Sequence, residues 1–391
     1  MTKVHISHTS SDHCLPFKLP NHTMKLLSTL ALFSTSLLST IPPTAAHPAA
    51  TPKPLALPVR IIHEFPHNTW VENLAVRSNG KVLVTLLSTP DLYQIDPFTP
   101  NSAPILVHHF ADHKALFGIT ETTTDLFYVV TSNFSSTDTT NPNPAGAYDI
   151  YEVDVRNGAS KAIVTKNANV PNAKLLNGMT TLCASQGIIL IADSFAGLLY
   201  RLNTHTKQVA IAIDDPTMKG PPAGPIPFGI NGVKIRDGFL YFTNTGVGSL
   251  VKIPISPIDG TATGSAVVLT TNAKPDDFIL DRAGDAFIAE IYLNNLAFLP
   301  PQGGNVTVLT GAPLTDPTVL AGPTACAFGR RHGDRRSLYI TTSGGIASGV
   351  DVPTLGGALS RIDLRGTGYF NKGEDGEEWE GEGKGDGDKR L

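Results

Sequence analysis

Two carboxylates, two carboxamides, a hydroxyl and a phenyl ring recur at one phase of a repeated pattern and could meet in space. They are the first residues of six similar segments, at Glu72, Phe117, Asn177, Asn231, Asp276 and Thr324. Carboxylate and amide oxygens are ligands that Ca²⁺, Mg²⁺ and Mn²⁺ accept. A carboxyl group buried in an apolar site can instead stay protonated and act as a general acid. The pattern therefore predicts a divalent metal site or an acid-bearing site, provided that the fold brings these positions together.

The segments that carry these residues form a repeat of about fifty residues. Each is a short apolar strand, a polar turn and a second β-rich strand, as in NGVKIRDGFLYFTNTG from Asn231, and a further strand pair follows. Successive starting positions are 45, 60, 54, 45 and 48 residues apart. The D-G, N-G and G-D steps read as hairpin turns. We therefore predict an all-β fold, a six-bladed β-propeller with four-stranded blades around a central channel.

The innermost strand of each propeller blade lines the channel, so the first residue of each copy should face one end of it. We expect catalytic groups, or the ligands of a metal ion, at Glu72, Asn177, Asn231 and Asp276. We expect the substrate-binding wall of an apolar pocket at Trp70, Phe117, Phe228, Tyr292 and Thr324. The competing interpretation is that the Asn-Gly and Asp-Asp steps only begin strands as turn residues.

Composition limits the partners of the chain. It has 391 residues, a net charge of −4 and only 16% charged residues, so we expect no nucleic-acid partner. Hydrophobic residues make up 41%, enough for a sizeable core. We divide the chain into an extension with a signal peptide (1–46), the propeller (47–370) and an acidic, Gly/Glu-rich tail (371–391) that we expect to be disordered. We expect a monomer that acts on a small molecule.

The N-terminal region reads as a targeting segment. Met24 and Lys25 open the run LLSTLALFSTSLLSTI, which small residues follow as far as Ala46. A basic start, a short apolar run and a small-residue exit are typical of a secretory signal peptide. We expect cleavage near Ala46, no stable membrane span afterwards, and delivery to the secretory pathway, either outside the cell or into vesicles. An uncleaved anchor is the alternative.

Secretion would make two further features relevant. Asn133-Phe-Ser and Asn305-Val-Thr are sequons for N-glycosylation. Cys183 and Cys326 are the cysteines that remain after the signal, and they could form one disulfide or be two buried thiols.

At these motifs the sequence resembles the six-bladed propellers of the gluconolactonase, regucalcin and strictosidine-synthase-like superfamily. The segments that carry the resemblance include PFGINGVKIRDGFLYFTNTGVGSLVKIPI (227–255) and KPDDFILDRAGDAFIAE (274–290). The lactonases hold a divalent ion with a Glu, one or two Asn and an Asp. The resemblance places these ligands on Glu72, Asn177, Asn231 and Asp276. The lactonase motif E-G-P is E-N-L here, and P-D-G is P-D-D.

The segment IIHEFPHNTWVENLAVRSNGKVLVTLLSTPDLYQIDP (61–97) resembles more closely a fungal secreted subgroup, which includes the hetero-Diels–Alderases of tropolone–sesquiterpenoid pathways. This resemblance implies a pericyclase of secondary metabolism. Such an enzyme would dehydrate a tropolone-type alcohol to an o-quinone methide and guide its cycloaddition to a terpene alkene. Asp276 or Glu72 would be the acid, Asn177 or Asn231 the hydrogen-bond donor, and no cofactor would be required.

Two other functions remain open from the sequence. A lactonase or esterase of the gluconolactonase type would use one divalent cation (Ca²⁺, Mg²⁺, Mn²⁺ or Zn²⁺) on the same four residues. A non-catalytic propeller would use its face to bind a protein or a glycan.

Overall fold

The computed structural model describes residues 56–135, 147–223, 227–350 and 354–369. Within these residues, six four-stranded antiparallel sheets form the blades of a β-propeller, as the repeat predicts. The predicted signal peptide and the predicted acidic tail lie outside the described residues. Within the described residues, no helix is long and apolar enough to span a membrane.

The strands follow the repeat in order. Blade 1 contains β2 (Val71–Val76), β3 (Val82–Leu86), β4 (Asp91–Ile95) and β5 (Ile105–His109). Blade 2 contains β6 (Ala115–Glu121), β7 (Leu126–Ser132), β8 (Tyr148–Asp154) and β9 (Ile163–Asn169). Blade 3 contains β10 (Leu176–Cys183), β11 (Ile188–Asp193), β12 (Leu198–Asn203) and β13 (Gln208–Ile213).

The second half of the ring has the same pattern. Blade 4 contains β14 (Ile230–Arg236), β15 (Phe239–Asn244), β16 (Ser249–Pro254) and β17 (Val267–Thr270). Blade 5 contains β18 (Phe278–Leu280), β19 (Ala286–Glu290), β20 (Asn295–Leu299) and β21 (Thr307–Gly311). Blade 6 contains β22 (Pro323–Phe328), β23 (Ser337–Thr342), β24 (Gly356–Asp363) and β1 (Val59–His67).

The first strand closes the ring. β1 pairs antiparallel with β24, with Val59 opposite Ile362, and forms the outer edge of blade 6. The repeat starts at Glu72 and so leaves this strand unassigned. The first and last strands of the propeller, β1 and β24, thus lie side by side in blade 6. Closure of the ring therefore depends on pairing between segments that are far apart in the sequence.

The hairpin turns follow from the sequence. Asp237 and Gly238 connect β14 and β15 and have φ angles of 50° and 80°. Positive φ at both central residues is what a two-residue type I′ hairpin needs, and Asp-Gly adopts it at low cost. The D-G step of this repeat is therefore a hairpin turn, as predicted.

The core lies between neighbouring blades. Phe287 of blade 5 is fully buried and packs at 5.6 Å from Phe298 of its own blade and at 5.5 Å from Phe328 of blade 6. Each blade thus covers an apolar face that it cannot bury alone. Cys326 is a free thiol in the cluster of buried residues around Phe287. A Cys183–Cys326 disulfide is therefore absent.

Candidate active site

Side chains from the inner ends of the blades enclose one apolar pocket at the mouth of the channel. It contains about 550 Å³ of empty space, open solvent at its mouth included. Its walls are Trp70, Glu72, Leu87, Phe117, Phe134, Leu175, Asn177, Phe228, Asn231, Thr245, Asp276, Ile291 and Tyr292. Residues of five blades therefore meet here. Eight of these thirteen residues were predicted from the sequence to be catalytic or substrate-binding.

Bulges in the inner strands point these side chains at the pocket. In β10 the pairing register with β11 shifts between Leu176 and Met179, and in β14 the register with β15 shifts between Ile230 and Val233. In each interval two residues of the inner strand face one residue of the second strand, and these two residues are the Asn-Gly step of the repeat. A bulge re-aims a side chain without ending the strand. The interpretation as turn residues is therefore wrong for the two Asn-Gly steps, which lie inside strands. The Asp276-Asp277 step directly precedes β18.

The glycine after each asparagine has a packing reason. A Cβ on Gly178 would lie 2.5 Å from the carbonyl oxygen of Asn231, and one on Gly232 would lie 2.2 Å from Oδ1 of Asp277. Such distances are too short for a real Cβ contact. The inner strands converge closely at this level, and glycine lets them do so.

Asp276 is buried and bonded to a neighbouring amide. The Nδ2 group of Asn231 donates to Oδ1 of Asp276 at 2.6 Å and to Oγ1 of Thr245 at 2.9 Å. Burial raises the pKa of Asp276 well above its ordinary range, and the negative charges of Glu72 and Asp277 raise it further. The Asn231 hydrogen bond opposes this shift. Asp276 is therefore a carboxylic acid that retains its proton where an exposed aspartate would be ionised.

Glu72 is the second buried carboxyl group of the pocket. The indole Nε1 of Trp70 donates to its Oε2 at 2.5 Å. Burial raises the pKa of Glu72 to about 7, the Trp70 hydrogen bond lowers it, and the charge of Asp277 raises it. Glu72 and Asp276, which we call the acid pair, are therefore two buried carboxyl groups of one pocket whose pKa values are both raised.

Two further groups face the pocket and are free to bind a ligand. The carboxamide of Asn177 is buried and makes no hydrogen bond to any residue that the structure describes. Burial, and the charges of Asp276 and Glu72, raise the pKa of Tyr292 to about 12, so its hydroxyl stays protonated. Both side chains can donate a hydrogen bond to a substrate oxygen.

A second polar group, the Asp277 cluster, is made of Asn73, Lys234 and Asp277. Asn73 and Asp277 directly follow the two members of the acid pair, and Lys234 lies three residues after Asn231. The Nζ of Lys234 lies 2.6 Å from Oδ1 of Asp277, and the Nδ2 of Asn73 donates to Oδ2 at 3.1 Å. Asn73 belongs to blade 1 and Asp277 to blade 5, which are not neighbours. This hydrogen bond therefore crosses the channel. The sequence analysis named none of the three residues.

Thr324 differs from the other predicted residues. It is buried, and its hydroxyl donates to the carbonyl oxygen of Val71 at 2.7 Å and lies 2.9 Å from Oγ1 of Thr341. It connects blade 6 to blade 1 and does not line the pocket. Its place in the repeat suggested substrate contact, but its short side chain is used in closing the ring.

Sequence reasoning missed five lining residues that lie beside the inner strands or in loops. They are Leu87, Phe134, Leu175, Thr245 and Ile291. Leu87, Thr245 and Ile291 each directly follow the second strand of a blade. Since these strands end at the same face as the inner strands begin, the end of the second strand was a usable signal.

The four oxygen-bearing residues do not fit a ready divalent cation site. The amide nitrogen of Asn231, and not its oxygen, faces Asp276, and the indole N–H of Trp70 occupies Glu72. A hard cation needs oxygen lone pairs directed at one point. Within the described ranges, no group of three or more His, Cys, Asp or Glu side chains is arranged to hold a metal ion.

Neither sequon asparagine lines the pocket, although Phe134 of the first sequon does. Asn305 is exposed just before β21, and Asn133 is half-buried just after β7. Glycosylation at either asparagine stays a prediction.

Comparison with known proteins supports the fold and the family. No family model matches the chain. A regucalcin from Agrobacterium tumefaciens superposes with a TM-score of 0.55 at 15% identity, over 78% of this chain and 94% of its own. A luciferin-regenerating enzyme superposes with a TM-score of 0.54 at 14% identity, over 80% of this chain and 96% of its own. At such identities these likenesses show the propeller fold alone.

Two curated relatives are more similar in sequence. A protein of Phoma sp named "Putative hetero-Diels-Alderase" is 31% identical over 346 residues, which cover 81% of this chain and 94% of the relative. A protein of Sarocladium schorii with the same description is 28% identical over 327 residues, 76% of this chain and 80% of the relative. The chain belongs to the family of these hetero-Diels-Alderase-like proteins.

Proposed function

We propose that the pocket dehydrates a tropolone-type alcohol to an o-quinone methide and guides the cycloaddition of that intermediate to a terpene alkene. The observation that carries this proposal is the acid pair, two buried carboxyl groups with raised pKa values in an otherwise apolar pocket. The relatives in Phoma sp and Sarocladium schorii, each named "Putative hetero-Diels-Alderase", support the same class of reaction.

The dehydration needs one acid and one base. Asp276 donates its proton to the departing hydroxyl group, the carbon–oxygen bond breaks, and water leaves. Glu72 accepts the proton of the ring hydroxyl, so the ring becomes a neutral quinone methide. A proton passing from Glu72 to Asp276 restores the starting state. Two buried carboxyl groups whose pKa values are both raised suit this division of roles.

The cycloaddition needs position more than covalent chemistry. One carbon–carbon and one carbon–oxygen bond form together, and no atom is lost. Holding the two reactants in the reactive orientation can lower a barrier by about 7–11 kcal/mol in the best cases. The walls that hold them are apolar, with Trp70, Phe117 and Phe228 among them. These walls also exclude the water that would otherwise add to the quinone methide.

Asn177 is the group that we assign to electrophilic activation. Its carboxamide is buried at the pocket, and no described residue accepts its hydrogen bonds. Asn231 is less available, since its Nδ2 already donates to Asp276 and Thr245. A hydrogen bond from Asn177 to the quinone-methide oxygen would withdraw electron density and make the exocyclic carbon more reactive.

The test is turnover of a defined pair of reactants. Purified protein is incubated with a hydroxymethyl tropolone and humulene, and the dihydropyran adduct, which equals the two reactants minus water, is measured by chiral chromatography and mass spectrometry. We expect faster formation than in buffer and one predominant enantiomer. Asn177→Leu should slow the reaction by about 100-fold, the usual loss of one such donor.

The matched control is Asn305→Leu, an amide-to-leucine change on the exposed surface far from the lining. It should turn over at the wild-type rate. Adduct formed only at the buffer rate and as a racemate would overturn the proposal.

A further inference from the structure

The loop that connects the first two strands of blade 6 is strongly basic. It runs from residue 329 to residue 336, between β22 and β23, and we call it the arginine loop. Its charged and titratable residues are one acid, Asp334, and five bases, Arg330, Arg331, His332, Arg335 and Arg336. The inner strands begin at the pocket mouth, so the turns that follow them lie at the other end of the propeller. The arginine loop is therefore remote from the acid pair.

The acid of the arginine loop faces inward, and its cations face outward. Asp334 is buried and accepts hydrogen bonds from the hydroxyl of Tyr339 at 2.9 Å and from the backbone N–H of Arg331 at 2.7 Å. Arg331 and Arg335 are both exposed. Asp334 therefore holds the shape of the loop, and the positive charge remains on its surface.

Two exposed arginines of the loop have no carboxylate partner in the part of the chain that the structure describes. The guanidinium of Arg331 lies over the ring of Phe98, 4.5 Å from its centroid, and Arg335 forms no ion pair with a described residue. Arg330 differs, because it binds the carboxylate of Glu121. Neighbouring cations without an acid between them attract anionic groups. Arg331 and Arg335 are therefore the positions to which we expect an anion to bind.

The chain passes the arginine loop shortly before the described residues end. The N–H of Leu364, directly after β24, donates to the carbonyl oxygen of Arg336 at 2.8 Å. Tyr369 then packs on Phe298, with 5.2 Å between the ring centroids. The residues that follow Tyr369 therefore start at the same end of the propeller as the arginine loop.

The sequence that follows is acidic. The stretch EDGEEWEGE, residues 374–382, contains six acids and no base, and it lies outside the described residues. It begins five residues after Tyr369, a length of chain that can span about 17 Å when extended. Single ion pairs on an exposed surface are weak. Attachment to the same chain raises the effective concentration of these acids to the order of millimolar, which favours weak pairing.

We propose that the arginine loop is the docking surface of the acidic segment 374–382 of the same chain. Carboxylates of the segment pair with the guanidinium groups of Arg331 and Arg335 through charge-assisted hydrogen bonds. The contact needs no regular secondary structure in the segment. It covers a positive surface that would otherwise attract other polyanions, and it connects the C-terminal segment to the blade that closes the ring. Because the arginine loop and the pocket lie at opposite ends of the propeller, the inference does not depend on the proposed function.

Fluorescence anisotropy of Trp379 tests the proposal in the full chain. The sequence has two tryptophans, Trp70 and Trp379, so Trp70→Phe leaves one reporter, inside the acidic segment. A docked segment slows the rotation of Trp379, so we expect high anisotropy at low salt. Salt at about 0.5 M should lower it, because screening weakens pairs between exposed charges. Low anisotropy that does not depend on salt would overturn the proposal.

Two double variants in this background locate the contact. Arg331→Gln/Arg335→Gln should lower the low-salt anisotropy of Trp379 to its high-salt value. Lys161→Gln/Lys207→Gln is the matched control, since it removes the same charge from exposed turns at the same end of blades 2 and 3. It should leave the anisotropy unchanged. Equal lowering by both double variants would show attraction to surface charge in general and would overturn the proposal.

Dilution distinguishes docking within one chain from docking between two copies. Contact within the chain should give the same anisotropy at protein concentrations between about 1 and 100 μM, because the tether fixes the effective concentration. A fall on dilution would mean that the acidic segment of a second copy occupies the arginine loop, and it would overturn docking within the chain.

Discussion

Two adjacent carboxyl groups, Asp276 and Asp277, have opposite surroundings. Asp277 receives the ammonium group of Lys234 at 2.6 Å, the amide of Asn73 and the backbone N–H of Phe278. Asp276 receives the amide of Asn231 and no cation. The backbone explains the separation. The N–H of Asp276 donates to the carbonyl oxygen of Ala289 in β19, and the N–H of Ala289 donates to the carbonyl oxygen of Asp277. Asp276 and Asp277 therefore both lie opposite the single residue Ala289. The side chains consequently point to different neighbours.

The difference shows how one short segment serves two purposes. The charge of Asp277 is balanced by a cation, which suits a group that joins blades across the channel. Asp276 has no cation beside it, and burial raises its pKa so that it keeps its proton, which suits an acid. The Asp277 charge also raises the pKa values of both members of the acid pair. The negative charge of Asp277 therefore helps Asp276 to keep the proton that it needs as an acid.

The largest expected effect separates the two aspartates. Asp276→Asn should reduce turnover of the alcohol by about 100- to 10,000-fold, the usual contribution of a general acid, with little loss of stability. Asp277→Asn should lower the unfolding midpoint more than it lowers turnover, because it leaves Lys234 half-buried without its partner. Steady-state kinetics and thermal unfolding of both variants measure this. Equal losses of turnover in the two variants would contradict the assignment of Asp276 as the acid and of Asp277 as a structural carboxylate.

Lys234→Met tests the Asp277 cluster from its other side. Removing one partner of a buried ion pair typically costs about 3–5 kcal/mol, and the side chain of Lys234 is 21% exposed, so we expect about 3 kcal/mol. Chemical denaturation measures the free energy of unfolding. The double variant Lys234→Met/Asp277→Asn should recover part of the loss, since the uncompensated charge is gone. No recovery would mean that packing, and not charge, is responsible.

Stability should respond to pH through Glu72. Its pKa is raised from 4.5 to about 7, so the folded chain binds more protons than the unfolded chain in that interval. Its contribution to stability is therefore fully present below about pH 4.5 and is lost as the pH rises through about 7. Glu72→Gln should flatten the fall of the unfolding midpoint between these pH values. An unchanged slope would contradict the raised pKa.

A smaller effect should follow from the indole of Trp70. With Asp276 as acid and Glu72 as base, kcat/KM should follow a bell-shaped pH profile whose rising limb lies near pH 7. The Trp70 hydrogen bond lowers the pKa of Glu72. Trp70→Phe should therefore move the rising limb to higher pH. A shift to lower pH would assign the base to another group.

The smallest expected effect is that of chelation. The N–H groups of Asn231 and Trp70 donate to the carboxyl oxygens of Asp276 and Glu72, where a metal ion would otherwise bind. We therefore expect turnover of the tropolone-type alcohol to be unchanged after treatment with EDTA. Metal analysis and kinetics before and after treatment measure this. Loss of activity that Ca²⁺, Mg²⁺, Mn²⁺ or Zn²⁺ restores would favour the lactonase interpretation and would join Asn177 to a metal site.

The ring of channel residues could be predicted because one residue per repeat lies within two residues of the start of each inner strand. The spacing of Asn177, Asn231 and Asp276 was enough to place them together, without knowledge of the bulges that aim them. Thr324 has the same phase, but phase does not determine which way a short hydroxyl side chain points. Its hydrogen bond to Val71 depends on the neighbouring blade.

Contacts between distant blades could not be predicted from the sequence. Asn73 and Asp277 are 204 residues apart, and only closure of the ring brings them together. The pKa values of the acid pair likewise depend on burial, which the sequence does not state for a single Glu or Asp. The position of β1 in blade 6 is a third case, because the strand comes before the repeat begins.

Infrared spectroscopy of the carboxyl groups at about pH 6 tests most directly whether the pocket holds protonated acids, since ordinary Asp and Glu side chains are ionised at that pH. We predict a carboxylic-acid C=O band in the wild type. It should weaken in Asp276→Asn and in Glu72→Gln, and it should weaken further in the double variant. A wild-type spectrum without that band would mean that Glu72 and Asp276 are both ionised. Asp276 could not then be the acid that removes water.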